Sequence, residues 1–228
     1  MAGDDPYARM VLTDHSTGYG GAGAVAWSGR TSRTPLLCAR GTPAETARLL
    51  TTLHHEGLIT AGTLLRLPPG TGELLHVLPL RHVEDWQFRW TDRPPRPFGG
   101  PGPVEVLPAA GEITALLDSG NPSSSVRPGA PHIRRWYGIR DGGGLAACGA
   151  DVSYGGVGYL AGLTVAPSRR GQGLGTVLTS AMSRSAHAEF GVVALGVNSA
   201  NHGAIRLYER LGFTNTVEVS AYELLAPS

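Results

Sequence analysis

The apolar run "YLAGLTVAP" leads directly into "SRRGQGLG", where three glycines alternate behind two arginines. After them Leu174, Val177, Leu178, Ala181 and Met182 fall on one helical face. A strand is thus predicted to hand over to a helix through the most flexible residues of the chain. Glycine loses more conformational entropy on ordering than any other residue, so such a cluster marks backbone that must come close to something. The amino terminus of a helix presents N–H groups without intrahelical partners and a partial positive charge, and anions bind there. Gly171, Gly173 and Gly175 would let those N–H groups approach an anion unobstructed, and Arg170 would add a forked, charged donor. This local pattern predicts a phosphate or pyrophosphate site. The plainer alternative is a glycine-rich turn whose arginines face water.

Two common phosphate-binding solutions are excluded. All 19 permanently cationic side chains are arginine, so a Walker loop lacks its lysine, and Schiff-base lysine chemistry is closed as well. A dinucleotide loop needs G-x-G-x-x-G between a strand and a helix, whereas residues 171–175 run G-x-G-x-G. A true G-x-G-x-x-G occurs at Gly18, Gly20 and Gly23, but it precedes a strand and has no helix behind it.

With 228 residues, 41% of them hydrophobic and 16% charged, the chain reads as globular and can bury a sizeable core. A net charge of +1 gives no warrant for a nucleic-acid or anionic-membrane partner. Cys38 and Cys148 form neither a disulfide framework nor a metal spacing. "MAGDDPYARM" is too acidic and polar for a signal peptide, and no apolar run approaches membrane-spanning length, so a soluble cytoplasmic protein is expected.

The proline- and glycine-rich stretch "RPPRPFGGPGPVEV" predicts a break, dividing the chain into regions 1–103 and 104–228. In the first, "AVAWSG", "TPLLCAR", "GTLLRLP" and "ELLHVLPL" read as strands, and the aromatics Trp86, Phe88 and Trp90 alternate like a strand face. "TPAETARLLTTLHHEG" reads as a helix with a Thr42–Glu45 capping box, Pro43 at its first position and Gly57 as its stop. In the second region "GEITALLDSG" reads as a helix, and "HIRRWYGIRDGGGLAACGADV" as a hairpin. A long strand interrupted by Gly162 follows, then the helix from Gly173, the strand "VVALGVNS", the helix "NHGAIRLYERLGF" and a last strand "TVEVSAYELL".

Here a resemblance emerges. "LTVAPSRRGQGLG" resembles the acetyl-coenzyme-A motif of the GNAT superfamily of N-acetyltransferases, Gln/Arg-x-x-Gly-x-Gly/Ala, with Arg170, Gly173 and Gly175 in place. About 25 residues on, Asn201, Ala204, Leu207, Tyr208, Gly212 and Phe213 resemble the second motif of that superfamily. The two motifs occur in order and on compatible elements. The resemblance covers roughly residues 104–228, and "WYGIRDGGGLAACGA" resembles the glycine N-acyltransferase-like branch.

The resemblance implies an α/β fold, with a mixed, mostly antiparallel sheet splayed between two central strands and flanked by helices. Residues 1–103 lie outside the resemblance and read as an α/β region of open role: a degenerate GNAT-like half, an acceptor-pocket element or a dimer element. By the same resemblance Leu163, Thr164 and Val165 pair their backbone with the pantetheine arm of acetyl-CoA, and Asn201 hydrogen-bonds that arm. Arg170, Gly171, Gln172, Gly173, Leu174, Gly175 and Thr176 hold the pyrophosphate. Tyr208 also contacts the coenzyme and serves as general acid toward the leaving thiolate, although its helical spacing with Ala204, Ile205 and Leu211 equally suits a core aromatic. Many relatives carry a glutamate on the strand before the phosphate loop as base, but this chain has no carboxylate between Asp151 and Glu189. His132, Asp151, His202 or a bound water remain as candidates, and Cys148 reads as a small buried strand residue before it reads as an acyl carrier.

The expectation is direct transfer of an acetyl group from acetyl-CoA to a primary amine in a ternary complex, without a metal. The acceptor is a small-molecule amine or a protein amine, neither nucleic acid nor membrane is a partner, and a homodimer is conceivable. A non-catalytic acyl-CoA sensor and a nucleotide-binding protein are the alternatives.

Overall fold

The computed structural model describes residues 5–226 except 13, 14, 22, 31–33, 101, 102, 109 and 143. Parts of the amino-terminal stretch, the proline-rich stretch and the hairpin turn discussed above thus lie outside the described residues. The chain forms two compact units, one of residues 1–88, 197–201 and 217–228, the other of residues 89–196 and 202–216.

The first unit contains helix α1 (Pro6–Val11), strands β1 (Gly18–Gly21), β2 (Ala24–Arg30) and β3 (Pro35–Arg40), helix α2 (Pro43–His55) and strand β4 (Leu64–Leu67). It also holds most of β5 (Leu80–Thr91) and of the last strand β11 (Asn215–Leu224). Helix α2 starts where the sequence predicts: the Thr42 hydroxyl accepts from the Glu45 N–H, and the Glu45 carboxylate accepts from the Thr42 N–H. Its Leu49, Leu50 and Leu53 pack against Leu37, Leu65 and Leu67 of the sheet. β3 and β4 are parallel across this helix, and β4 pairs antiparallel with β11 from Leu64↔Glu223 to Leu67↔Ser220.

One expectation is corrected here. "ELLHVLPL" is not a strand: Gly72–Leu74 is a 3-10 turn, and β5 begins only at Leu80. The N–H groups of Leu75 and Leu78 donate to Gly72 and Leu75 in successive tight turns, and Pro79 has no N–H to offer a ladder. Leu75 and Leu78, three apart, enter the core, whereas Val77 is 65% exposed. The apparent alternation is thus a period of three. The proline-rich stretch is held within the second unit. Ser180 donates to the Arg96 carbonyl at 2.7 Å, and Gly100 lies so close to Val177 that a Cβ would overlap it. The first division between the compact units falls at Phe88/Arg89, and most of the last strand of the chain returns to the first unit.

The second unit contains β6 (Val104–Leu107), α3 (Ala110–Gly120), β7 (Arg135–Asp141), β8 (Gly144–Asp151), β9 (Gly158–Val165), α4 (Leu174–Phe190), most of β10 (Val193–Asn198) and α5 (His202–Arg210). Its strands run in the order β10-β9-β8-β7-β6, antiparallel except for the parallel pair β9/β10. Alternation along β8 sorts the two faces. Cys148 and Ala150 meet Ile113, Leu116 and Leu117 of α3, while Gly149 lies against Met182 of α4. Each unit is thus a mixed sheet covered by helices. Among the described residues, no helix is long and apolar enough to cross a membrane.

Candidate active site

β9 carries the first element of the site. Its ladder with β8 pairs Ala150 with Ala161 and Cys148 with Thr164, so β9 spends one residue more than its partner. The extra residue is accommodated by Gly162, whose φ of 62° is the left-handed conformation that a bulge demands. The parallel ladder with β10 ends at the same place. It runs from Val193↔Gly158 to Leu195↔Leu160, yet β9 continues to Val165. Beyond Leu160 the two strands part, leaving a strand edge at Leu163, Thr164 and Val165. Thr164 is buried and its hydroxyl donates to the Gly162 carbonyl at 3.0 Å, which ties the bulge down.

After a 3-10 turn at Pro167–Arg169 the backbone enters the glycine cluster. Gly171 and Gly173 both have φ of 80°, and a Cβ at either would meet nothing within 4 Å, so the turn faces open space. Gly173 caps α4 without any side-chain acceptor, and the first turn of this 17-residue helix carries no acidic residue. Its leading N–H groups are arranged for an acceptor from outside the helix. Gly175 serves packing instead: a Cβ there would lie 3.3 Å from Leu207 and 3.5 Å from Val165, so its absence lets α4 start against both α5 and β9. Leu174 is buried, Gln172 exposed and Thr176 half-buried. The Arg170 guanidinium donates to the Gly120 carbonyl at 2.8 Å and so closes the end of α3.

Tyr208, one residue beyond Leu207 on α5, is 7% exposed and packs edge-on against Phe213 at 6.1 Å. Burial, with the Tyr159 phenol as a smaller contribution, pushes its pKa up to about 12. The end of α5 is anchored by the buried Arg89, which donates to the Glu209 carboxylate at 2.9 Å and to the Phe213 carbonyl at 3.2 Å. The second unit thus brings together β9, the glycine turn, the start of α4 and Tyr208. Asn201 belongs to the segment 197–201 of the first unit, where its N–H donates to the Asn198 carbonyl at 2.9 Å.

The candidate bases fare less well. Asp151 accepts from the Ser153 N–H at 3.0 Å and from the Ser153 hydroxyl, and lies 3.6 Å from Arg134 and 4.0 Å from Arg135. Those contacts make it a structural carboxylate. His132 and His202 stand exposed. Cys148 is fully buried, which pushes its thiol up to about 12 and leaves it no thiolate to carry an acyl group. Trp86 and Phe88 pack on Tyr7 of α1, with centroids 6.1 and 5.3 Å away, and Trp90 is half-buried beside them in sequence. Of the G-x-G-x-x-G, Gly18 and Gly20 lie on β1, which pairs antiparallel with β2, and a Cβ at Gly23 would strike the Glu45 carboxylate. Among the described residues, no group of three or more His, Cys, Asp or Glu could hold a metal ion.

One feature was not read from the sequence. A cleft of about 800 Å³ in the first unit is lined by Glu73, His82, Asp85, Glu218, Ser220 and Tyr222, among others.

Residues 118–213 match the model of the Acetyltransferase (GNAT) family. No curated protein matches the chain. A GCN5-related N-acetyltransferase from Kribbella flavida is similar with a TM-score of 0.61 at 19% identity, over 92% of this chain and 90% of that one. An acetyltransferase from the GNAT family from Colwellia psychrerythraea gives 0.56 at 12% identity, over 89% and 86%. A GCN5-related N-acetyltransferase-like protein from Streptococcus suis gives 0.52 at 13%, over 98% and 95%. At such identities the likeness concerns the fold, and it extends over both units. The parted strands, the glycine turn and the helix start all lie inside the segment that matches the Acetyltransferase (GNAT) family model, and the chain shares the fold of these neighbours.

Proposed function

We propose that the chain transfers an acetyl group from acetyl-CoA to a primary amine, in the cytoplasm, with both substrates bound at once. The observation that carries this reading is the end of the β9/β10 ladder at Leu160↔Leu195, immediately before a strand edge that runs into the open glycine turn. Acetyl-CoA supplies an activated acyl carbon and a thiolate leaving group. The backbone of Leu163, Thr164 and Val165 pairs with the amide-bearing arm as another strand would. The N–H groups of residues 171–175 hold the pyrophosphate, with Arg170 contributing its backbone while its side chain stays on Gly120. Leu174 and Thr176 fix the first turn of the helix, Gln172 flanks the anion, and Asn201 takes a further hydrogen bond of the arm.

Tyr208 faces the leaving sulfur. A phenol at about 12 keeps its proton throughout the neutral range. Against a cysteine-like thiol near 8.5, complete proton transfer would be uphill by roughly 5 kcal/mol. Tyr208 therefore acts as hydrogen-bond donor to the forming thiolate, and the proton that the attacking amine gives up ends on the departing thiol.

Release of free thiol from acetyl-CoA, measured with and without a panel of primary amines, tests the proposal. Amine-dependent release supports it. Tight acetyl-CoA binding with no release on any amine favours the non-catalytic sensor instead, a reading that the lack of a carboxylate between Asp151 and Glu189 keeps in play.

A further inference from the structure

The cleft of the first unit is built from segments far apart in sequence, residues 69–87 and 218–222 with Ser199. Three carboxylates line it, Glu73, Asp85 and Glu218, together with the imidazoles of His76 and His82. Among the described residues no arginine lines it, and the chain contains no lysine. Leu75, Leu78, Leu80 and Val219 give it apolar walls. Charge of one sign in a walled cleft concentrates the opposite charge there.

Its polar side is held in place. The His82 ring sits 3.1 Å from the Asp85 carboxylate and edge-on to Tyr222 at 5.2 Å. The Ser220 hydroxyl serves both Asp85 and Tyr222, and these hydrogen bonds, that from Ser220 foremost, hold the Asp85 carboxyl below its ordinary range. Burial and then the negative Glu73 and Asp85 push the Tyr222 phenol up, so it stays a neutral hydroxyl. Tyr222 leans on bare backbone: a Cβ at Gly72 would lie 2.2 to 2.6 Å from its ring and hydroxyl. The Ser199 N–H donates to the Asp85 carbonyl at 2.9 Å. Ser199 stands two residues before Asn201, in the loop that leads into α5 and Tyr208.

We propose that this cleft binds an organic ammonium with an apolar body, received by Glu73, Asp85 and Glu218. The ammonium lies against the carboxylates and its carbon chain against the leucines.

Calorimetric titration of the full chain with n-hexylamine, with 1-hexanol as its uncharged counterpart, tests this directly. The amine binds and the alcohol does not. Glu218→Gln and Glu73→Gln, both at exposed positions, each weaken amine binding tenfold or more. Acetyl-CoA affinity and melting temperature stay at the wild-type values. Equal binding of hexanol, or unchanged amine affinity in both variants, would overturn the assignment even where acetyl-CoA binds and turns over.

Discussion

At the scale of single residues, burial keeps Tyr208 and Cys148 protonated. Tyr208→Phe removes the donor to the leaving sulfur while keeping the ring on Phe213, so turnover should fall roughly 100-fold or more, as for loss of an acid–base group. Acetyl-CoA affinity should change little, and equal turnover in the two proteins would remove Tyr208 from the chemistry. The same burial sets an alkaline limit. Cys148 rises from 9.0 to about 12 and Tyr208 from 10.0 to about 12. Between pH 9 and 12 the unfolded chain has released protons that the folded chain still holds, so stability falls as pH rises through that window. By its upper end the loss is roughly 4 kcal/mol for Cys148 and roughly 3 kcal/mol for Tyr208. Urea unfolding should show a flat profile from neutrality to the start of the window and a decline above it, shallower in Cys148→Ala. Parallel profiles for the two proteins would contradict the assignment.

At the scale of elements, most of the fold was legible because its signals are local. The Thr42–Glu45 capping box, the bulge at Gly162 and the start of α4 are each written in a few adjacent residues. Thr42→Ala should cost about 1 kcal/mol of stability, measured by urea unfolding, without weakening acetyl-CoA binding. Gly162→Ala puts a side chain at φ 62°, 3.4 Å from the Trp136 ring, and should cost about 1–2 kcal/mol. It should also weaken acetyl-CoA binding, since the bulge sets up the edge at Leu163, Thr164 and Val165. Residues 72–79 were misread because Leu75 and Leu78 are buried from successive turns, which short apolar runs do not distinguish from a strand. The cleft was not legible at all. Glu73, Asp85 and Glu218 share it only because β11 pairs with β4, a contact no local pattern announces.

At the scale of the whole molecule, the last strand decides how the chain divides. Ser220, Ala221, Tyr222 and Glu223 pair with residues 64–67, so a fragment 104–228 leaves Val219, Ala221, Tyr222 and Leu224 without the sheet and core that bury them. Deleting residues 1–103 should abolish cooperative thermal unfolding. A fragment that melts cooperatively at the temperature of the full chain would show that the first region is an appendage.

The central claim is that the backbone of residues 171–175 holds an anion of the coenzyme. Gly173→Asn and Gly173→Asp have nearly the same shape, both tolerate a φ of 80°, and neither Cβ meets anything within 4 Å, so they differ in charge alone. Calorimetric titration of both variants and the wild type with acetyl-CoA is the measurement to make. The account predicts micromolar binding by the wild type, some loss for Asn, and a further loss of tenfold or more for Asp at unchanged melting temperature. Equal affinities for Asn and Asp would mean that no anion sits at the start of α4.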